Sequence, residues 1–230
     1  MRGDIYRILS IKKMQYQEMT KHWNLTYVIN KVKTSIYYKL NPDKPWLTKD
    51  ANQYLIQKLN KEMIGLEFGS GRSTIFFAKK LQHLVSVENN EDWYNKVSSQ
   101  FKKKNINNVD YRLIKTGLEK EHESAYYGAA DEFVDGYFDF ILIDGFARDL
   151  CSLKSISKLK EGGLFVIDNV NWFLPSDSIS PNSISLNSKC GNANWEKVFG
   201  IIKDWEKKWT SNGVTDTAIF IKPLGREQNA

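Results

Sequence analysis

Cysteine is almost missing from these 230 residues, with Cys151 and Cys190 the whole complement. Two such residues give neither a disulfide framework nor a metal-site spacing, so a reducing, cytoplasmic setting is the expectation. No run approaches the ~18 uninterrupted apolar residues of a membrane-spanning helix. The opening Met1-Arg-Gly-Asp-Ile-Tyr-Arg7 returns to charge before a signal-peptide apolar stretch can develop. There is no G-x-x-x-x-G-K-[S/T], which removes the P-loop enzymes. A net excess of positive charge is missing from the body of the chain. Residues 1–40 hold eight basic side chains against Asp4 and Glu18, which is the entire formal +6, and the remainder balances at zero. A nucleic-acid groove needs positive charge on the body that carries it, so nucleic acid is not an expected partner. What is present is a core-forming composition, 41% hydrophobic and 13% aromatic. It suits one generous domain with an appendage.

The appendage ends near Asn41-Pro-Asp-Lys-Pro-Trp46. Before it, Ile5, Ile8, Leu9 and Ile11, then Leu25, Val28, Ile29, Val32 and Ile36, recur at helical spacing. Pro42 and Pro45 stop that pattern. The division is therefore a helical N-terminal extension or lid over 1–44 and a main domain over 45–230. Lysines and arginines flanking isoleucines at helical spacing also suit a helix lying on an anionic membrane. Peripheral membrane contact through residues 1–40 is one expectation, and a solvated helix covering the sheet, or a substrate lid, is the other.

Thr48 then caps a helix with Ala51, Leu55 and Leu59 on one face. From there short apolar runs (63–68, 84–87, 109–114, 138–143, 163–167) alternate with helical stretches at about 72–82, 91–104 and 149–160. Strand–helix alternation of this kind implies a doubly wound, mostly parallel α/β sheet. A last helix is expected over 193–208. The turn Ser211-Asn-Gly-Val214 and the run 217–222 suggest an antiparallel closing strand. Long segments at 116–136 and 174–192 both follow strands, at the sheet edge where open α/β folds bind ligands.

Leu66-Glu67-Phe68-Gly69-Ser70-Gly71-Arg72-Ser73-Thr74 ends the first strand and opens a helix. Its glycines allow a tight turn and let a ligand lie on bare backbone. Glu88 closes the second strand, placed to accept from both hydroxyls of a ribose. Together they indicate a nucleoside-containing cofactor, although a plain turn at Gly69 and Gly71 and a helix cap at Glu88 are the plainer alternatives. A dinucleotide fingerprint wants a third glycine where Thr74 stands, and Glu67 would repel a pyrophosphate.

Glu67-Phe-Gly-Ser-Gly71, Glu88, Phe138-Asp-Phe-Ile-Leu-Ile-Asp144-Gly145 and Leu159-Lys-Glu-Gly-Gly-Leu-Phe-Val-Ile-Asp168-Asn169 follow one another in the order of the motifs of class I S-adenosylmethionine (SAM)-dependent methyltransferases. Residues 45–173 resemble that family, with Ser73 where many members have a glycine. The resemblance implies a Rossmann-like seven-stranded sheet, cytoplasmic methyl transfer, and cofactor contacts from Glu67, Gly69, Ser70, Gly71, Ser73, Glu88, Asn89 and Asp144. No Asn/Asp-Pro-Pro-Tyr-like run follows the fourth strand, so the O-methyltransferases are the nearer likeness. In their metal-dependent members an aspartate and an Asp-Asn pair hold Mg²⁺. Asp144, Asp168 and Asn169 fill those positions here, and two carboxylates with an amide oxygen are ligands that suit Mg²⁺. Such an ion would lower the pKa of an acceptor hydroxyl.

The acceptor implied is a small molecule or glycan, and assembly into a homo-oligomer is left open. Arg148 stands near the position of a lysine base in some members. Arginine stays protonated, so it is either an anion contact or an ion-pair partner rather than a base. His122 is a further candidate base. Trp46, Tyr126, Tyr127, Trp172 and Phe173 are candidates for a pocket mouth. A strand-end turn at Asp168 and Asn169, an NAD-dependent oxidoreductase and a non-catalytic binding module remain the competing readings.

Overall fold

The computed structural model describes residues 24–116 and 125–225. Asn24 caps helix α1 (Leu25–Leu40) by accepting from the Tyr27 amide at 2.8 Å. Thr48 caps α2 (Lys49–Lys58), whose Ala51 and Leu55 are buried. There follow β1 (Ile64–Phe68), α3 (Arg72–Lys80), β2 (His83–Glu88), α4 (Glu91–Lys103) and β3 (Val109–Leu113). After the short α5 (Ala125–Gly128) come β4 (Phe138–Ile143), α6 (Arg148–Ser155), β5 (Leu159–Asp168), α7 (Ala193–Ile202), β6 (Glu206–Ser211) and β7 (Asp216–Ile221).

The sheet runs β3-β2-β1-β4-β5-β7-β6, with every strand parallel except β7, which pairs antiparallel with both β5 and β6. This is the expected doubly wound sheet with an antiparallel closing strand. Alternate residues of one strand feed opposite cores, as a sheet buried on both faces requires. Ile141, Ile143, Phe165 and Ile167 pack with Val198 and Ile202 on one side. Phe140, Leu142 and Val166 pack with Leu55 and Phe77 on the other. Because β1 sits between β2 and β4, its following loop and that of β4 part company at their carboxyl ends, and this switch point opens a crevice.

Two boundaries differ from the sequence pattern. The helix expected over 193–208 stops at Ile202, and Glu206, Lys207 and Lys208 enter β6. Charged residues of this kind are common on edge strands, where pairing to β7 overrides propensity. The helix expected to reach residue 160 ends at Ser155, and β5 begins at Leu159 rather than Gly163. Gly162 and Gly163 lie inside the strand, at a shift of register against β4. No helix among the described residues is long and apolar enough to cross a membrane. Residues 1–23 of the expected extension, and His122, lie outside the described residues.

Candidate functional site

Glu67 is fully buried at the end of the central strand. Its Oε2 accepts from Thr74 Oγ1 and Ser86 Oγ, both at 2.6 Å, while Oε1 has no partner. Burial pushes the carboxyl up to about 7, opposed by the hydroxyls of Ser73, Ser86 and Thr74. An orphaned buried carboxylate oxygen is costly, and a cationic ligand, reaching it directly or through water, would relieve it. Gly69 adopts φ +89°. A Cβ there would stand 2.6 Å from the Gly145 backbone, so the loops after β1 and β4 touch only because both are bare. Gly71 is different. Its backbone is extended, and a Cβ would meet nothing closer than Trp93 at 3.8 Å. Its missing side chain serves no protein contact and leaves open backbone for a ligand.

Glu88 is almost completely buried, with both oxygens already engaged. Oε1 accepts from the Asn89 and Asn90 amides, at 2.9 and 2.8 Å. Oε2 accepts from Ser70 N at 3.0 Å and Ser70 Oγ at 2.7 Å. The bonds on Oε1 are those of a loop organiser, while the helix that follows is capped by Asn90, whose side chain accepts from the Trp93 amide. Only the Ser70 hydroxyl, which also meets Tyr111 Oη at 2.6 Å, can turn aside for a ribose hydroxyl without disturbing backbone bonds. Ser73 is buried beside this turn, and Asn89 bonds Thr116.

The other half of the crevice is built around Arg148, the first residue of α6. All five of its N–H donors are used. Nε donates to Gly145 O at 3.1 Å. Nη1 donates to the Asp168 carbonyl and to Asn169 Oδ1, the latter at 2.9 Å. Nη2 donates to the Asp144 carbonyl and to Asp144 Oδ1, at 3.0 and 2.9 Å. A guanidinium with five protein acceptors is a brace, and it has no donor left for an anionic substrate.

The brace also decides the fit of a metal. The carboxylate of Asp144 and the amide oxygen of Asn169, two of the three expected Mg²⁺ ligands, are drawn onto one fixed cation. Asp168 Oδ1 accepts from Thr217 Oγ1 at 2.6 Å. Among the described residues no group of three or more His, Cys, Asp or Glu could hold a metal ion. With Arg148 seated, these side chains do not fit a divalent cation, which would be repelled at contact distance. Two strained corners hold the arrangement: Ala147 and Asn169 are both non-glycine residues in the left-handed region, φ +45° and +52°.

Burial raises the Asp144 carboxyl, against the pull of Arg148. Asp168 is pushed up to about 7, first by burial and then by the charge of Asp144. Burial first, and after it the charges of Asp168 and Asp144, push up the phenol of Tyr38 in α1. Its hydroxyl donates to the carbonyls of Trp46 and Leu47, at 2.9 Å each. A cavity of about 440 Å³ shares Gly145 and Arg148 with the site and is walled by Phe146, Trp172, Phe173 and Trp195.

Two residues expected at a pocket mouth are elsewhere. Tyr126 and Tyr127 are buried in the core, Tyr126 edge-on to Phe68. Trp172 and Phe173 line that cavity, and Trp46 is exposed beside Trp93. Thr74, Ser86 and Thr217 escaped the sequence pattern, although a serine within Leu84-Val-Ser-Val87 and a threonine opposite Asp168 in β7 are polar residues in buried strands. A buried polar side chain of that kind points to a specific acceptor.

Comparison with solved structures places this architecture. A Staphylococcus aureus protein classed as a caffeoyl-CoA O-methyltransferase is 17% identical, with TM-score 0.51, over 92% of this chain and 99% of that one. A methyltransferase from Geobacter sulfurreducens is 10% identical, with TM-score 0.53, over 85% and 89% of the two chains. A Corynebacterium glutamicum protein reaches TM-score 0.56 at 10% identity, over 95% and 100%. The fold is that of the class I methyltransferases. No family model and no curated protein matches the sequence.

Proposed function

We propose that this protein transfers a methyl group from SAM to a hydroxyl of a small-molecule or sugar acceptor, with Arg148 standing where related-looking enzymes hold a metal ion. The observation that carries the reading is the charge of the crevice. Glu67, Asp144 and Asp168 converge at the ends of β1, β4 and β5, and the one guanidinium among them is consumed internally. Such a crevice favours a ligand with a sulfonium and an ammonium and opposes the pyrophosphate of a dinucleotide. Glu67 would take the ammonium end, Gly69 and Gly71 would bed the chain of the ligand, and Glu88 would receive the ribose once Ser70 turns. SAM, when bound, supplies an electrophilic methyl group.

The protein's remaining task is to align the acceptor oxygen and take its proton. Asp168 is the base this geometry supports, because a carboxyl held near 7 is about half ionised at neutral pH and basic enough to take the proton. Arg148 and Thr217 fix its position, and Asp144 raises its basicity. Trp172, half-exposed on the wall of the cavity, can meet a sugar or phenolic ring, with Phe173 and Trp195 stacked on each other behind it.

Calorimetry with SAM and with NADH, followed by transfer of labelled methyl to a panel of hydroxylated acceptors with and without EDTA, tests the reading. SAM affinity, no NADH affinity and EDTA-resistant transfer are expected. Absence of any SAM binding overturns it.

A further inference from the structure

Helix α1 is mounted with its aliphatic side outward. The residues turned toward the body are Tyr27, Asn30, Thr34, Tyr37, Tyr38 and Asn41, each partly covered. Tyr38 anchors this face: its hydroxyl reaches the chain beyond the helix, and its carbonyl accepts from Arg72 at 3.2 Å. On the opposite side Leu25, Val28, Ile29, Val32, Ile36 and Leu40 form one stripe along the helix. Their exposures are between 42% and 76%, and no residue of the helix is buried. A helix that contributes to a core does the reverse. Six aliphatic side chains over 16 residues, about 24 Å of helix, amount to a face with no partner among the described residues, of the kind that marks an interaction surface.

The charges around the stripe choose its partner. Helix α1 contains no carboxylate, and Lys33 and Lys39 are exposed on it. Two copies of α1 laid against each other would bring these lysines together with nothing on either helix to pair them. An anionic bilayer offers both complements at once, acyl chains for the stripe and headgroup phosphates for the lysines that border it.

We infer that α1 docks the protein on an anionic lipid surface, lying in the interface with its Leu25–Leu40 stripe buried among the acyl chains. The inference is independent of the methyltransferase reading, since it uses no residue of the crevice.

The test is co-sedimentation of the full chain with phosphatidylcholine vesicles, with and without phosphatidylglycerol, alongside sedimentation equilibrium in the absence of lipid. Three proteins are compared: wild type, Val32→Glu/Ile36→Glu, and Lys33→Ser/Lys39→Ser. All four substituted positions are exposed, so circular dichroism should be unchanged in both variants. The wild type should pellet with the anionic vesicles, weakly with neutral ones, and less as salt rises. The lysine variant should bind about thirtyfold more weakly, since each lysine near an anionic surface contributes about a factor of five. The glutamate variant should stay in the supernatant. Three results overturn the inference: a wild type that ignores anionic vesicles, a glutamate variant that pellets like wild type, or a wild-type dimer that the glutamates convert to monomer without any lipid binding. The last would make the stripe a subunit interface.

Discussion

Alanine at position 148 removes one cation and five hydrogen bonds from a site with two carboxylates. Deleting one partner of a buried ion pair costs about 3–5 kcal/mol. Here the Arg148 and Asp144 side chains keep 17% and 28% exposure, so solvent takes up part of the loss and about 2–3 kcal/mol is the reasonable figure. In a chain of this size that is roughly 5–10 °C of melting temperature. The deficit must depend on pH in a fixed direction. Arg148 lowers the pKa of both Asp144 and Asp168, so its loss is felt while they are ionised and fades as they take protons. The gap between wild type and Arg148→Ala should be wide at pH 8 and narrow at pH 5.

The same substitution releases the Asp144 carboxylate, the Asn169 amide oxygen and the Asp168 carbonyl around an empty volume. A metal at one hundred times its dissociation constant stabilises by about 2.7 kcal/mol, close to what the alanine removed. Urea denaturation with and without Mg²⁺ or Mn²⁺ should therefore leave the wild-type midpoint in place and raise that of Arg148→Ala. Arg148→Lys keeps the charge but not the planar fork, and should recover part of the stability with no response to metal. A wild-type midpoint that rises with Mg²⁺, or an alanine variant as stable as wild type at pH 8, refutes the reasoning.

The two glycines of the first turn should separate cleanly. Gly69→Ala forces a side chain into the left-handed region and onto Gly145, and should lose several degrees of melting temperature, whereas Gly71→Ala should melt like wild type and lose SAM affinity by calorimetry. If Gly71→Ala binds SAM normally, the bare backbone there is not part of the cradle. Asp168→Asn should lower turnover by about 10²–10⁴ and abolish the rise of rate with pH through about 7, with SAM affinity little changed; a retained rising limb assigns the base elsewhere. Glu67 carries a pKa near 7 in the fold against 4.5 ordinarily, so the native state holds a proton that the unfolded chain has released. Its contribution is complete below pH 4.5 and disappears as pH rises toward 7, worth roughly 3 kcal/mol. Glu67→Gln should flatten that part of the curve of urea midpoint against pH, leaving the parallel contribution of Asp168.

The alternation of apolar runs and amphipathic segments was enough to read the parallel sheet, because a strand covered on both faces has to be apolar along its whole length. It failed at Glu206-Lys-Lys208, where the pairing partner β7 supplies the order and the side chains show only solvent. Gly162-Gly163 misled for a related reason: paired glycines usually end something, but inside β5 they let the strand shift register. Tyr126 and Tyr127 carry a polar tip that suggests a rim. Their rings pack with Phe68 and its neighbours instead, a contact between segments far apart in sequence.

Asp144, Asp168 and Asn169 were legible as a convergent oxygen cluster, and the structure does bring them together. What the pattern could not convey is which cation fills the cluster. Residue types and spacing report the acceptors, and an oxygen set that would suit Mg²⁺ also suits a planar guanidinium, which satisfies carboxylate, amide and backbone carbonyl at once. The choice is made by where one side chain comes to rest. Arg148 stands one turn beyond Asp144 at the start of α6, behind a left-handed Ala147 that swings the helix toward β5. Only with both strands in place does its fork meet the Asp168 carbonyl and Asn169. The guanidinium is part of the chain and cannot be chelated away. A site built on it keeps its charge and its geometry whatever the free metal concentration.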